Sequence, residues 1–303
     1  MSKAFAILAT MLVLAFGPGN GVAQSSGEPS PVVSPPGLEA GLPSVLGNRK
    51  LPATNKVELT SGTYAVFHTS EGDFLAGLAD KAAPVTVRNF IAYATGQKPW
   101  RHPVTMVETT RPLYSNTTIY RTVPNAMIFG GDPTNRGEAD SGTQLPLETS
   151  PNISFDQPGI LAMDSSGDKM SGSRWFISLR PFPDRNGDYT IFGKVIGGLD
   201  LVQRISTKPV KRPQLPLDPV MVYFIEIVKV PAGRVTTGEF RQENGMTVLR
   251  IDPTFRDASP DQKPMDVFAK APEQTEDSDR VTTAPAPVDV DAAGLLDTNS
   301  NGK

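Results

Sequence analysis

The sequence predicts a mainly β fold, a closed antiparallel barrel with two helices, between flanks that are disordered. Between residues 57 and 231, short runs of apolar and β-branched residues alternate with turn residues, as in all-β domains. In the same region, two segments repeat apolar residues at the spacing of a helix. Outside it, proline, serine, glycine and charged residues dominate, and the sparse apolar side chains cannot offset the entropy of the chain.

The domain opens with a predicted β-hairpin followed by a helix. Residues 63–69 are rich in strand-forming side chains, and the turn at 70–73 separates them from a second apolar run at 74–78. After Pro84, apolar residues recur at i, i+3, i+4 and i+7, and Gly96 stands just beyond them. This pattern predicts an amphipathic helix with a proline start and a glycine stop.

The rest of the domain is predicted as short strands with one more helix. Apolar or β-branched runs separated by turn residues occur at 118–120, 126–129, 160–163, 175–178 and 190–192. Residues 200–205 have helical spacing, and residues 222–230 form a closing strand. Many short strands with two helices favour a closed antiparallel barrel over an alternating α/β sheet.

The N-terminus has the features of a secretory signal. Lys3 precedes an apolar stretch at 4–16, and a small-residue run ends at Ala23. The stretch is shorter than the ~20 residues that cross a bilayer, so we expect cleavage after Ala23, with an uncleaved N-terminal anchor as the alternative. Segment 1–23 is therefore assigned as a signal peptide, and the mature chain as an exported protein, periplasmic or extracellular, with no membrane span of its own.

The remaining flanks are expected not to fold. Residues 24–56 are dense in proline, serine and glycine and form a linker. Residues 232–303 contain more acidic than basic residues and form a largely disordered acidic tail, in which 245–251 could add one short strand. The folded domain is thus predicted to span residues 57–231.

Composition excludes several classes of function. With 29 basic and 32 acidic residues, the chain lacks the excess positive charge that is typical of a protein that binds nucleic acid. The absence of cysteine excludes disulfides, zinc–thiolate sites and thiol catalysis. The two histidines, His68 and His102, lie far apart in sequence, and no G-x-S-x-G motif accompanies them. No metal or cofactor site is predicted.

Four segments of the predicted domain contain motifs that are specific as a set. They are YRTVPNAMIFGGDP at 120–133, PGILAM at 158–163, SGSRWFI at 171–177 and YTIFGKV at 189–195. With the opening segment at 67–96, they resemble the cyclophilin-type peptidyl-prolyl isomerases, in the order of that family. The resemblance implies an eight-stranded antiparallel barrel capped by two helices, with substrate on its outside and no cofactor. It implies proline-containing polypeptides as substrates; it does not imply an oligomeric state.

Isomerisation of an X-Pro bond is limited by its barrier of about 18–20 kcal/mol, because the twisted state loses amide resonance. A cation that faces the prolyl nitrogen stabilises the twisted state, since the nitrogen lone pair is then available. Arg121 matches the family's catalytic arginine and is the candidate donor. The alternative is a surface arginine that pairs with Asp132 or Glu148.

The resemblance implies a proline pocket at Met127, Phe176 and Tyr189. Met127 and Phe176 agree with the family, whereas Tyr189 and five further candidate substrate-binding positions depart from it. The departures are Ala126 (usually Phe), Phe129 (usually Gln), Asp164 (usually Ala), Arg174 (usually Gln), Asp184 (often Trp) and Tyr189 (often His). Phe129 cannot hydrogen-bond Arg121 as the usual Gln does, although a cation over its ring face gains ~0.5–2 kcal/mol. We therefore expect an isomerase that acts on X-Pro bonds of exported proteins, with reduced or selective activity.

Two other functions stay open at this point. One is a peptide-binding or holdase module with a degenerate active site, in which Asp164 and Arg174 alter the bound sequence. The other is a structural or envelope-associated protein in which the linker and the acidic tail matter most.

Overall fold

The computed structural model describes residues 55–166, 168–212 and 215–269. The predicted signal peptide, most of the predicted linker and the last part of the predicted tail, from residue 270, lie outside the described residues. Among the residues described, no helix is long and apolar enough to cross a bilayer.

The described chain is mainly β with two α-helices, as predicted. The helices are α1 (Pro84–Ala94) and α2 (Leu199–Ser206), with a 3-10 helix at Pro183–Arg185. The strands, in chain order, are β1 (Lys56–Leu59), β2 (Gly62–Thr69), β3 (Gly72–Leu78), β4 (Trp100–Arg101), β5 (Glu108–Thr109), β6 (Thr117–Ile119), β7 (Arg121–Val123), β8 (Met127–Gly130), β9 (Gln144–Leu145), β10 (Ile160–Ser166), β11 (Lys169–Ser178), β12 (Ile191–Gly197), β13 (Val210–Arg212), β14 (Leu215–Pro216), β15 (Val220–Val230), β16 (Arg234–Glu243), β17 (Met246–Ile251) and β18 (Arg256–Asp257).

Helix α1 begins and ends as its sequence predicts. Pro84 occupies the first turn, and the Glu148 carboxylate accepts hydrogen bonds from the backbone N–H groups of Val85 and Thr86, at 3.0 and 2.8 Å. A carboxylate is favourable there because the first N–H groups of a helix lack partners within it. Gly96 follows the helix with a φ of +72°, the left-handed conformation in which glycine is least strained.

The prediction of a simple eight-stranded closed barrel is wrong. Of the strands described, fourteen join into one sheet, in which β3 pairs with β12, β12 with β10, β10 with β11, β11 with β8, and β8 with β7. The pairs β4–β5 and β13–β14 form two separate small sheets. On the other side, β3 pairs with β2, β2 with β15, and β15 with β6. Strands β6 and β7 flank Tyr120, whose N–H donates to the Phe129 carbonyl at 3.1 Å. At Tyr120 the chain therefore passes from β6, which pairs with β15, to β7, which pairs with β8.

The extra strands enter the sheet at β3. There Thr247 of β17 pairs in parallel with Gly72, so the sheet is mixed. Gly72 has a φ of +123°, and a Cβ atom at this position would lie 2.7 Å from the Thr247 carbonyl oxygen. Only glycine permits so close an approach with that backbone conformation, and this local contact joins the C-terminal strands to the sheet.

Part of the predicted disordered tail is folded. Residues 234–269, here called the C-terminal extension, include β16, β17 and β18, and the strand expected at 245–251 is confirmed. Val235 and Leu249 are buried, and Phe268 packs against the core. The few apolar residues of the extension are sufficient because strand alternation directs them towards the same sheet. The fold also takes in Lys56, the last residue of the predicted linker.

The hairpin of β2 and β3 separates two groups of buried side chains. The main core includes Phe67, Phe74, Phe90, Trp175 and Phe192, with many smaller residues. The outer cluster consists of Leu59, Tyr64, Val66, Leu75, Val228, Val230 and Leu249. Successive residues of a strand point to opposite faces, so β2 contributes to both groups.

Candidate active site

Arg121 lies on β7, directly opposite Phe129 on β8 in the strand pairing. Its guanidinium carbon is 4.6 Å from the centroid of the Phe129 ring, the cation–π contact considered from the sequence. Burial lowers the pKa of Arg121, and the negative charge of Asp164 raises it. The group stays a cation at neutral pH, because arginine has too high a pKa to lose its proton.

The two carboxylates that a surface arginine would pair with have structural roles. Asp132 is fully buried and accepts backbone hydrogen bonds from the loop that follows it, including those of Gly137 at 2.6 Å and Glu138 at 3.0 Å. Glu148 caps α1. Neither set of contacts decides the role of Arg121, which stays a prediction.

A group of aromatic rings forms the floor beside Arg121. The ring centroids of Phe129 and Phe176 are 5.7 Å apart, and Tyr189 meets Phe176 edge-on at 5.3 Å. Phe155 stacks on Phe176 with centroids 5.9 Å apart. Sequence reasoning missed Phe155, because it lies in a largely polar loop with no periodic apolar pattern; its position before the PGILAM segment was the available signal.

Met127 and Ala126 lie at the start of β8 and its preceding turn, and both are buried. The Ala126 carbonyl accepts a hydrogen bond from the Leu179 N–H at 2.7 Å, which ties the turn to the end of β11. Met127 pairs with Val123 and Ser178 across the neighbouring strands. The turn is therefore held in place, and the substrate contacts assigned to Ala126 and Met127 stay predictions.

Asp164 and Arg174 form an ion pair, with the Arg174 Nε 3.4 Å from an Asp164 oxygen. Arg174 is buried, and its guanidinium also donates to the carbonyls of Ser165, at 2.5 Å, and Gly137, at 3.3 Å. Burial raises the pKa of Asp164, while Arg174 and Arg121 lower it. Arg174 thus links β10 to the loop after Asp132. Its contact with substrate stays a prediction.

Asp184 lies on the 3-10 helix and is exposed to solvent. Two residues later, the Asn186 side-chain oxygen accepts a hydrogen bond from the Phe155 N–H at 2.7 Å, which fastens this loop to the aromatic floor. The structure therefore brings Arg121, Phe129, Phe176 and Tyr189 together through side-chain contacts. Asp184 is joined to them through its loop.

The described residues contain no group of three or more histidine, aspartate or glutamate side chains that could hold an ion. The chemistry available from these residues is that of a fixed cation beside an aromatic floor.

Comparison with known proteins gives consistent matches. Residues 64–227 match the family model described as cyclophilin type peptidyl-prolyl cis-trans isomerase/CLD. Over 162 residues the chain is 38% identical to peptidyl-prolyl cis-trans isomerase B of Streptomyces anulatus, a match that covers 52% of this chain and 93% of the relative. Over 165 residues it is 34% identical to the probable peptidyl-prolyl cis-trans isomerase A of Mycobacterium bovis, covering 54% and 91%. A crystal structure of a cyclophilin-type isomerase from Cryptosporidium parvum is similar at 27% identity and a TM-score of 0.48, covering 56% of this chain and 99% of that one.

Proposed function

We propose a function from one premise: the chain belongs to the cyclophilin-type peptidyl-prolyl cis-trans isomerases. It is an enzyme of that class, and its substrates are X-Pro bonds in polypeptides. Beyond this, we propose that the polypeptides are exported proteins, and that turnover is lower or more selective than in its relatives.

The reaction needs no energy source. Cis and trans X-Pro forms differ by only about 0.5–1 kcal/mol, whereas the barrier between them is about 18–20 kcal/mol. As the amide twists, resonance is lost and the prolyl nitrogen becomes a better hydrogen-bond acceptor. A donor that meets this nitrogen more strongly in the twisted state than in the planar state lowers the barrier.

In this proposal Arg121 is the donor and the aromatic floor grips the proline ring. The observation that carries it is the Arg121–Phe129 contact at 4.6 Å. It places the cation over a ring that packs on Phe176, and Phe176 in turn contacts Tyr189. A charged hydrogen bond worth about 1.5–3 kcal/mol gives roughly one to two decades of rate if it forms in the twisted state alone.

Reduced activity is expected from the residue that faces Arg121. The Phe129 ring attracts a cation, but it cannot form the hydrogen bond by which the Gln usual at this position helps to orient the arginine. The Asp164–Arg174 ion pair adds two further charges to the site. Burial raises the pKa of Asp164, and the positive charges of Arg174 and Arg121 offset part of that rise. Turnover of an Ala-Pro peptide by this chain and by the Streptomyces relative, measured side by side, tests the comparison; equal kcat/KM values would contradict it.

Replacing Phe129 tests the contact itself. Phe129→Leu keeps an apolar side chain but removes the ring face, and we expect kcat/KM to fall by roughly twofold to thirtyfold, the equivalent of ~0.5–2 kcal/mol. Phe192→Leu, an equal substitution in the main core, is the control for lost packing. The contact has no role if both variants keep the wild-type rate at equal folded fraction.

Export is supported by the apolar segment at 4–16 and the small residues up to Ala23. Cell fractionation followed by N-terminal sequencing should give a mature protein that begins at Gln24. A full-length chain retained in the cytoplasm would contradict export.

A further inference from the structure

A cavity of about 410 Å³ adjoins the candidate active site. Tyr189 lines this cavity, and its ring meets Phe176 edge-on with centroids 5.3 Å apart. Asn186, which also lines it, accepts the Phe155 N–H at 2.7 Å. The cavity and the aromatic floor thus share Tyr189 and are joined through the loop at Asn186.

The walls of this cavity combine polar, apolar and charged groups. Thr149, Ser150, Ser154 and Asn186 are polar, whereas Ala82, Ile153 and Ile191 supply apolar atoms. Of the described residues that line the cavity, Glu148 alone carries a charge. A ligand that fits the apolar wall and the carboxylate has a long apolar stem that ends in a cation, which is the chemistry of lysine and arginine side chains.

Glu148 is held in a fixed position. Its two carboxylate oxygens accept the N–H groups of Val85 and Thr86, and its own N–H donates to the Thr190 hydroxyl at 2.8 Å. Each carboxylate oxygen has two lone pairs, so both can accept a further hydrogen bond. Because the carboxylate is already ordered, a cation that binds it does not have to fix a flexible side chain.

We propose that this cavity is a second substrate subsite, which takes a lysine or arginine side chain of the polypeptide whose X-Pro bond is isomerised. The inference rests on the proposed function, and it adds a substrate preference. The proline occupies the aromatic floor, the chain passes Tyr189, and a basic side chain lies along Ile153 and Ile191 with its cation at Glu148.

The test uses the full chain and a set of Ala-Pro peptides. Each peptide carries one lysine, or norleucine as its uncharged equivalent, at a single position up to three residues before or after the proline. At one position we expect kcat/KM for lysine to exceed that for norleucine by about fivefold at low salt, equivalent to about 1 kcal/mol. Rising ionic strength should weaken the preference, because salt screens an ion pair.

Two variants locate the effect. Glu148→Gln removes the charge and should abolish the lysine preference, whereas Asp156→Asn, an exposed neighbour outside the cavity wall, should leave it intact. Because Glu148 also caps α1, Ala82→Phe provides a second route: its ring fills the cavity and should lower turnover of the lysine peptide towards that of the norleucine peptide.

The outcomes separate the two proposals. If the peptides are isomerised but lysine is never preferred, or if Glu148→Gln and Ala82→Phe both keep the preference, the subsite is wrong and the isomerase function stands. If no peptide is isomerised, the proposed function fails and the subsite fails with it.

Discussion

The two faces of the β2–β3 hairpin are covered by different parts of the chain. The inner face packs into the main core, where Phe67 stacks on Phe74 with centroids 4.5 Å apart and meets Trp175 edge-on at 5.3 Å. The outer face carries Val66 and Leu75, and the C-terminal extension covers it with Leu249. The main core lies within the region that the relatives share, whereas the extension follows it. The main core also contains the rings of Phe129, Phe176 and Tyr189, so we expect the inner side to support catalysis and the outer side to add stability.

Removing the extension should have the largest effect on stability. A chain that ends at residue 231 loses the buried Val235 and Leu249, and burial of two such side chains contributes about 3–6 kcal/mol. We expect a markedly lower free energy of unfolding, measured by denaturant titration, with an unchanged kcat/KM for the molecules that remain folded. A chain that ends at residue 269 is the control. Equal stability of the two truncated chains would show that the outer face does not need its cover.

Gly77 sharpens the comparison at a single contact. A Cβ atom at Gly77 would overlap a methyl carbon of Val267 in the extension, so the two could not both stay in place. Gly77→Ala should cost about 1–3 kcal/mol of unfolding free energy. The double variant with Val267→Ala should recover most of the loss, because the methyl group that clashes is gone. A loss of the same size in both variants would place the strain within β3 rather than at the extension.

A smaller, pH-dependent effect on the free energy of unfolding is expected at His68 of β2, which contacts β3 and β15. Its Nδ1 is 3.1 Å from an Asp73 oxygen and its Nε2 is 3.3 Å from Glu226, while Asp73 also accepts the Leu249 N–H of the extension at 2.8 Å. Burial lowers the pKa of His68, but Asp73 and Glu226 raise it by more, so it lies above its ordinary value of about 6.5.

The sign follows from the direction of this shift. The folded state binds the proton more tightly, so the added stability is fully present below the unfolded pKa and is lost as pH rises through the folded pKa. We expect no more than about 1 kcal/mol, since partly exposed ion pairs contribute little. The difference in unfolding free energy between wild type and His68→Gln should be larger at pH 5 than at pH 8; a constant difference would contradict the assignment.

The sequence was sufficient for the parts whose signals are local. The hairpin at 63–78, helix α1 and helix α2 follow from apolar spacing with a proline or a turn beside it, and the structure confirms all three. The Arg121–Phe129 contact could be anticipated because residues eight apart face each other across a short hairpin, as β7 and β8 do.

What the sequence did not reveal depends on contacts between distant segments. The extension has too few apolar residues to indicate a folded region by composition, and its order comes from pairing with β3 at Gly72 and β1 at Lys56. Phe155 joins the aromatic floor through the Asn186 side chain, from a loop with no periodic pattern. The spacing of residues along one segment does not reveal which distant segment it will contact.

Arg121 provides the most direct measurement of the central claim, that a cation held over Phe129 catalyses X-Pro isomerisation. Arg121→Ala should lower kcat/KM on an Ala-Pro peptide at least about tenfold, the effect of losing ~1.4 kcal/mol in the transition state, while thermal stability stays close to that of wild type. Arg136→Ala, which removes an exposed arginine from the loop after Asp132, should keep wild-type turnover. An Arg121→Ala variant that isomerises the peptide as fast as wild type would contradict the account.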